Sequence, residues 1–211
     1  CALPIFYHDP DVPEPAYDLE EAGRLLEEAG YVDRDGDGWR EDAGGHRVEF
    51  SLATNAGNFL RERMCSILRE DWTALGLKVN FRPQSFQSLV ERLQSTFDWD
   101  AILIGFTGSI EPNNGANFLR SSGNLHLWNP RQASPATPWE AEIDRLLDAG
   151  SSELDPEKRA VSYRRIQQIL AEELPFLETV RQKLAVAWSR RLENFRPTVW
   201  GLAAPERISL R

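Results

Sequence analysis

The first half of the chain switches between the hydrophobic spacing of a strand and that of a helix. Val48, Phe50 and Leu52 occupy every second position, which predicts a strand. From about residue 58 to 75, apolar side chains recur every three or four positions and Gly76 follows. That spacing predicts an amphipathic helix, and the glycine predicts its end.

The alternation of elements continues to residue 106. Alternating apolar residues over 77–81 predict a second strand, and Ser85 is a suitable cap for a second helix. Residues 100–106 form a continuous apolar run, which is typical of a strand buried on both faces. The order β-α-β-α-β predicts an α/β fold with a parallel-centred sheet and flanking helices.

Sheets of this kind bind their ligands beyond the carboxyl ends of the strands. The stretch "TNAGN", which begins at Thr54, joins the first strand to its helix and could present backbone N–H groups to an anion. A simple helix entry capped by Asn55 or Asn58 is the alternative. The sequence therefore points to a site at this edge, where three strand ends lie: Thr54-Asn55, Arg82-Pro83 and Phe106-Thr107.

Helix starts elsewhere share a capping residue followed by proline or glutamate; they lie at Asp18, Thr137 and Asp155. Residues 107–136 are rich in Gly, Asn, Ser and Pro but carry several large apolar groups, so they predict an ordered surface loop. Short strands are predicted at 176–180 and 184–188.

An acidic stretch, "DRDGDGWRED" from Asp33 to Asp42, begins like an EF-hand calcium loop. Asp33, Asp35 and Asp37 occupy the first, third and fifth positions, and glycine takes the sixth. The twelfth position, which needs a bidentate glutamate, falls on Gly44. An Asp/Gly turn is therefore the favoured interpretation, with calcium held by an incomplete shell as the alternative.

Composition and net charge limit the classes of function that this chain can have. The 211 residues are 41% hydrophobic and 27% charged, which is ordinary for a globular protein. A net charge of −9 argues against nucleic acid as a partner, because phosphate binding needs a basic surface. Apolar runs of about 18 residues are absent, so no transmembrane helix is predicted. The two cysteines, Cys1 and Cys65, form no zinc motif.

The sequence also contains residue types that could form a catalytic triad. Ser109, Glu111 and His126 co-occur near the long loop, and such triads are recognised by geometry rather than by order. The GxSxG turn that exposes a hydrolase nucleophile is absent around Ser109. The sequence therefore predicts no enzyme and no catalytic residues, and an α/β hydrolase using Ser109 is the less favoured alternative.

Leu25-Leu26-Glu27-Glu28-Ala29-Gly30-Tyr31 precedes Asp35-Gly36-Asp37-Gly38. This segment resembles one in the family 5 extracellular solute-binding proteins of ABC importers, which bind dipeptides, oligopeptides or nickel. The stretches "TNAGNFLRERMCSILREDWTALGLKVNF", "FDWDAILIGF" and "IQQILAEELPFLETV" are similar to later family segments. The resemblance covers the chain from about Tyr17 to its end.

The resemblance implies one lobe of a two-lobed, periplasmic-binding-protein-like fold (type II-like) that closes on a ligand. The chain would correspond to the carboxyl-terminal lobe: residues 1–17 an extended lead-in, 18–182 the α/β ligand-binding lobe, and 183–211 a return segment. The return segment would pair with a missing amino-terminal lobe. Implied partners are ABC permease subunits and a peptide or other small solute. The implied location is periplasmic or extracellular, with a lipid anchor on the parent left open.

The resemblance also suggests which residues line the cleft. Peptide binders of the family carry Trp-x-x-Asp after the last strand, and the aspartate pairs with the peptide amino group. Here the stretch is Phe106-Thr107-Gly108-Ser109, so that carboxylate is replaced and a neutral or differently charged solute is favoured. The expected ligand-binding residues are Thr54, Asn55, Asn58, Phe106, Thr107, Ser109, Glu111 and Trp128.

The leading hypothesis is non-catalytic solute binding for ABC-transporter uptake, with no cofactor unless the acidic stretch holds calcium. A sensor or chaperone-like module with the same fold is the alternative. Transport predicts a parent with a second lobe and neighbouring permease genes. A sensor predicts fusion to a kinase or regulator.

Overall fold

The structure is a computed structural model that describes residues 5–106, 111–180, 185–198 and 201–211. Its centre is a parallel sheet in the order β2-β1-β3, formed by β1 (Glu49–Asn55), β2 (Lys78–Gln84) and β3 (Ala101–Ile102). Both neighbours run parallel to β1. The predicted parallel-centred sheet is confirmed, and its three carboxyl ends lie on one edge.

Three helices accompany the sheet: α1 (Leu19–Glu28), α2 (Phe59–Ala74) and α3 (Phe86–Glu91). Each begins at a side-chain cap, because Asp18, Asn58 and Ser85 accept backbone N–H groups of the first turn. A π-helical turn over Arg92–Thr96 continues α3. The core between sheet and helices is small and includes buried Leu52, Cys65 and Val79.

The apolar run at 100–106 is only partly a strand, which corrects the prediction. Hydrogen-bonded pairing with β1 extends over Ala101–Ile102, and both residues are half-buried. Gly105 and Phe106 are exposed. β3 lies at the edge of the described sheet, so it has a strand on one side only and cannot be buried as a central strand is.

A helix pair forms the second core. α4 (Ala116–Leu119) lies in the long loop, and α5 (Pro138–Ser152) and α6 (Pro156–Glu173) follow it. The predicted capping box is present, since Thr137 Oγ1 accepts from Glu140 N and the Glu140 carboxylate accepts from Thr137 N. The buried residues of this core are Tyr7, Ile143, Leu147, Ala160, Tyr163, Ile166, Ile169 and Leu170.

The lead-in packs against the helix pair, which the prediction of an extended segment missed. Ile5–Tyr7 forms a 3₁₀ turn. Gln167 Nε2 donates to the Tyr7 carbonyl at 2.8 Å, and Gln168 Nε2 donates to Asp9 at 2.7 Å. Tyr7 also meets Tyr163 edge-on, with ring centroids 5.1 Å apart. These contacts tie the start of the described chain to α6.

The carboxyl-terminal segment pairs with itself. β4 (Leu192–Glu193) pairs antiparallel with β7 (Ser209–Leu210), and β5 (Pro197–Thr198) pairs with β6 (Gly201–Leu202). The strands predicted at 176–180 and 184–188 are wrong for the residues described there, 176–180 and 185–188. Leu177, Val180, Val186 and Trp188 in these stretches are exposed. A strand needs a neighbour, and none of the described strands lies beside them.

Candidate functional site

The candidate site is the edge of the sheet where β1, β2 and β3 end. The register places Asn55 beside Gln84, and the Ala56 N–H donates to the Gln84 carbonyl. Thr54 is fully buried, and its hydroxyl donates to the Leu103 carbonyl at 2.8 Å. Thr54 thus joins the ends of β1 and β3, and its burial argues against direct contact with a solute.

Asn55 and Asn58 organise the loop between β1 and α2. Asn55 Oδ1 accepts from Arg61 Nη1 at 2.7 Å, and Asn58 Oδ1 accepts from the Arg61 backbone N–H at 3.1 Å. Glu62 Oε1 accepts from Gly57 N at 2.7 Å. The helix-entry alternative is therefore realised at Asn58. Neither asparagine is fully buried, so a role in solute binding stays a prediction.

Aromatic rings extend from the end of β3 into the long loop. Phe106 is half-exposed and lies 5.0 Å from the Phe118 ring, measured between centroids. Phe118 contacts Trp128 at 5.5 Å and Phe176 at 5.0 Å. The two predicted aromatic site residues, Phe106 and Trp128, thus belong to one chain of ring contacts, although they do not touch each other among the contacts described.

The long loop closes around a buried carboxylate, Glu140 on α5. The side chain has no exposed surface. Oε1 lies 3.0 Å from His126 Nε2 and accepts from Trp128 Nε1 at 3.1 Å. Oε2 accepts from Ala136 N, Thr137 N and Thr137 Oγ1. We define the Glu140 cluster as Glu140, His126, Trp128, Asn129, Gln132 and Thr137.

Hydrogen bonds determine the charge state of this carboxyl. Burial disfavours the anion and raises the pKa, but the bonds from His126, Asn129, Gln132 and Thr137 outweigh burial. The pKa of Glu140 is lowered to about 2 as a result. The carboxylate also lies in the first turn of α5, where the helix dipole favours negative charge. Glu140 is therefore an anion that orders the loop.

Glu111 and His126 are engaged with different partners, and this bears on the hydrolase alternative. The Glu111 carboxylate accepts from Arg159 on α6. His126 is 1% exposed, and its Nε2 faces Glu140. Ser109 and Thr107, the remaining predicted residues, lie outside the described residues. The described contacts thus assign Glu111 and His126 to the helix pair, where each has a structural partner.

The acidic turn, residues 33–42, is stabilised by its own backbone. Asp33 accepts from Gly36 N at 2.8 Å and from Gly38 N at 2.9 Å, and both glycines have positive φ. Buried Glu41 accepts from Arg34 N at 2.7 Å. Carboxylate oxygens of Asp33, Asp35, Asp37 and Glu41 lie within 4.8 Å of one another. These hydrogen bonds stabilise the turn, and calcium binding stays a prediction.

Two residues of interest were missed from the sequence. Arg61 lies at the strand-end edge, bonded to Asn55, and was not singled out. Its place in the first turn of the helix that follows β1 was the available signal. Glu140 was recognised only as a capping residue. Its other donors come from residues eight to fourteen positions earlier in an irregular loop, and such a loop has no periodicity to reveal contacts.

Comparisons with known proteins agree on one group. A family model described as bacterial extracellular solute-binding proteins, family 5 Middle, matches residues 2–126. A probable ABC transporter-binding protein of Deinococcus radiodurans is 29% identical over 185 residues, covering 82% of this chain and 31% of the relative. Oligopeptide-binding protein AppA of Bacillus subtilis is 29% identical over 192 residues, covering 89% of this chain and 34% of the relative.

Solved structures give the same result. AppA with a bound nonapeptide matches with a TM-score of 0.68 and 27% identity, over 80% of this chain and 33% of that one. A periplasmic oligopeptide-binding protein of Thermotoga maritima with bound mannohexaose matches with a TM-score of 0.59 and 26% identity, over 76% and 30%. The predicted periplasmic-binding-protein-like fold is confirmed. The chain spans about a third of the length of the curated relatives it matches.

Among the described helices, none combines the length and apolar character required to cross a membrane.

Proposed function

Because this chain belongs to the bacterial extracellular solute-binding proteins of family 5, we propose that it is the carboxyl-terminal part of an ABC importer's solute-binding component. Its function is to bind a small organic solute, such as a peptide, without chemical change. The observation that carries this proposal is the family match over residues 2–126. The likeness to AppA and to the deinococcal ABC transporter-binding protein supports it.

The geometry suggests how binding works. The strand-end edge forms one wall of the cleft, and the missing amino-terminal lobe supplies the other. A solute held between the lobes stabilises the closed state by its higher affinity for that state. The closed protein then docks on the permease subunits. A rigid wall suits this mechanism, and the Glu140 cluster fixes the loop that carries Trp128.

The exposed return segment supports the existence of a second lobe. Within it, Val186, Trp188 and Leu210 are each at least 49% exposed, and its described strands pair only with one another. Exposed apolar groups along one segment mark surface that a partner covers. We assign that partner as the amino-terminal lobe. The proposed location is the periplasm or the outer cell surface, and a lipid anchor stays a prediction.

A thermal-shift screen of the full-length protein tests the proposal. The compounds are peptides, sugars and nickel complexes, each followed by recovery and mass analysis. We expect one solute class to raise the melting temperature with concentration, because it binds the native state, and to be recovered unchanged. Turnover of the compound would instead favour the hydrolase, and fusion of the full-length protein to a kinase or regulator would favour the sensor.

A further inference from the structure

The guanidinium of Arg61 lies at the strand-end edge in a fixed position. Asn55, the last residue of β1, accepts from Nη1 at 2.7 Å. The Arg61 backbone is fixed as well, because its N–H is bonded to the capping side chain of Asn58. The side chain is half-buried. Arg61 is thus held in the candidate site, whereas the charged head of an exposed arginine usually extends into solvent.

Gly105, at the end of the segment following β3, makes room for this guanidinium. A Cβ atom built on Gly105 would lie 2.6 Å from Arg61 Nη2, which is closer than carbon and nitrogen can approach. Gly105 does not have a positive φ, so its backbone conformation does not require glycine. The absence of a side chain serves the approach of Arg61. Residues at the ends of β1 and β3 thus together position the Arg61 guanidinium.

Arg61 has no carboxylate partner among the described residues. Arg159 and Arg165 on α6 each pair with a glutamate. Arg61 instead bonds a neutral amide, and the adjacent Glu62 accepts from Gly57 N. Among the described residues, Nε and Nη2 of Arg61 donate no hydrogen bond. A guanidinium offers such N–H groups as a planar fork that matches a carboxylate. In a chain of net charge −9, a cation held without an anion suits an anionic ligand.

Large aromatic side chains are exposed around the same edge. Phe59 is the first residue of α2 and is 83% exposed, and Phe86 is the first residue of α3 and is 57% exposed. Phe106, which follows β3, is 52% exposed. Each lies within a few residues of a strand's carboxyl end. Exposed aromatic side chains near the strand ends are available to contact the apolar part of a ligand. The edge therefore offers one fixed cation and several apolar surfaces.

We propose that this edge binds a small organic solute that carries a carboxylate beside an apolar body, with Arg61 as the carboxylate-binding residue. The proposal rests on the proposed solute-binding function and specifies its cargo. Asn55 and Gly105 act as positioning residues, because they act through Arg61. The carboxylate could belong to a peptide carboxyl terminus or to a non-peptide organic acid, and the experiment separates these sources.

The test is calorimetric titration of the full-length protein, freed of bound ligand by unfolding and refolding. One probe is a pool of N-acetylated pentapeptides rich in Phe and Leu, with free carboxylates; a matched pool has carboxamides. A second pair is 4-phenylbutyrate and its amide. A neutral oligosaccharide pool serves as an uncharged comparison. We expect a free acid to bind at least about tenfold more tightly than its amide, because an ionised partner strengthens the hydrogen bonds.

Four variants locate the effect. Arg61→Gln is expected to weaken acid binding about ten- to a hundredfold and to leave amide binding unchanged. Arg63→Gln, which makes the same charge change two residues along α2, is the control and should change neither. Gly105→Ala should weaken acid binding while leaving the melting temperature nearly unchanged, since only the end of a flexible side chain must move. Asn55→Asp should also weaken it, because the new carboxylate competes for Arg61.

The outcomes are distinct. Preference for the peptide acid or for phenylbutyrate supports the proposal and names the source of the carboxylate. Equal binding of acid and amide, or acid binding that survives Arg61→Gln, overturns the assignment of Arg61 but leaves solute binding intact. Binding of the oligosaccharide pool alone would likewise overturn the assignment of Arg61 and leave solute binding intact. An absence of binding by every pool overturns the carboxylate proposal, while the wider thermal-shift screen decides on solute binding itself.

Discussion

The acidic turn and the Glu140 cluster both contain carboxylates that accept several hydrogen bonds, but the carboxylates are exposed in the turn and buried in the cluster. In the acidic turn, Asp33, Asp35 and Asp37 lie in solvent and accept N–H groups from residues two to five positions away. In the Glu140 cluster, one fully buried carboxylate collects donors from a loop that starts fourteen residues earlier. The first group is conspicuous in the sequence, and the second is a single glutamate among 33 acidic residues.

The difference shows that a visible motif and an energetically important one need not coincide. An exposed carboxylate keeps most of its hydration, so each local hydrogen bond contributes little. A buried carboxylate has lost its water, and it is tolerated only because several donors replace that water. We therefore expect the stability of the long loop to depend on Glu140 far more than the stability of the sheet depends on the acidic turn.

The largest effect is expected from Glu140→Ala. The change leaves the donors on buried His126 and half-buried Trp128 without their acceptor, so we expect the free energy of unfolding to fall by about 3–5 kcal/mol. Urea unfolding followed by circular dichroism measures it. Glu142→Ala is the matched control on the same helix. Glu142 is partly exposed and pairs with Arg165 at 2.9 Å, so its loss should be about 1 kcal/mol or less. Similar losses in the two variants would contradict the contrast.

Acid should reveal the same carboxylate with a somewhat smaller effect. The pKa of Glu140 is about 2 in the folded protein, against an ordinary value of 4.5. Above about pH 4.5 the carboxyl is ionised in both states and its contribution is complete. As the pH falls towards 2, the unfolded state takes up the proton first, and on the order of 3 kcal/mol is lost.

The measurement is urea unfolding of the wild type and Glu140→Gln at pH 6, 4 and 2.5. The difference between their free energies of unfolding should shrink as the pH falls, because the variant has no carboxyl to titrate at this position. A difference that stays constant over this range would mean that Glu140 does not titrate in this window.

The smallest effects are expected in the acidic turn. Asp33→Ala removes the acceptor for two exposed N–H groups and should cost about 1 kcal/mol. Asp35→Ala removes the acceptor for one, on Asp37, and should cost less. Calcium should stabilise the wild type by less than about 1 kcal/mol at millimolar concentration, because Gly44 stands where a bidentate glutamate is needed. A large calcium-dependent rise in melting temperature, lost in Asp35→Ala, would make the turn a metal site.

Local elements were predictable wherever a local rule decided them. Asn58 and Ser85 cap helices because their side chains reach N–H groups three residues ahead, and that spacing is visible in the sequence. The apolar run at 100–106 was different. Its composition indicates burial but not how many neighbouring strands exist, and β3 proved to be an edge strand. The strands predicted at 176–180 and 184–188 failed in their described residues for a similar reason, since no described strand pairs with them.

The structure places several predicted site residues together at the strand-end edge, while their role in binding a solute stays a prediction. The β-α-β-α-β order placed the candidate site at the strand ends, and Asn55, Asn58 and Phe106 do lie there. Thr54 was predicted to contact the solute, but it is fully buried and its hydroxyl donates to the Leu103 carbonyl, a contact between residues 49 positions apart. Arg61 needed the structure, because its importance depends on a glycine 44 positions later.

The sequence by itself determined the order of elements and the caps of the main helices, because each follows from spacing within a few residues, and from that order it predicted the strand-end edge as the ligand site. Only the tertiary structure decided which carboxylate is buried, which arginine is held without an anion and which strand is an edge. Those properties depend on contacts between residues far apart in the chain, and the spacing of hydrophobic residues does not reveal such contacts.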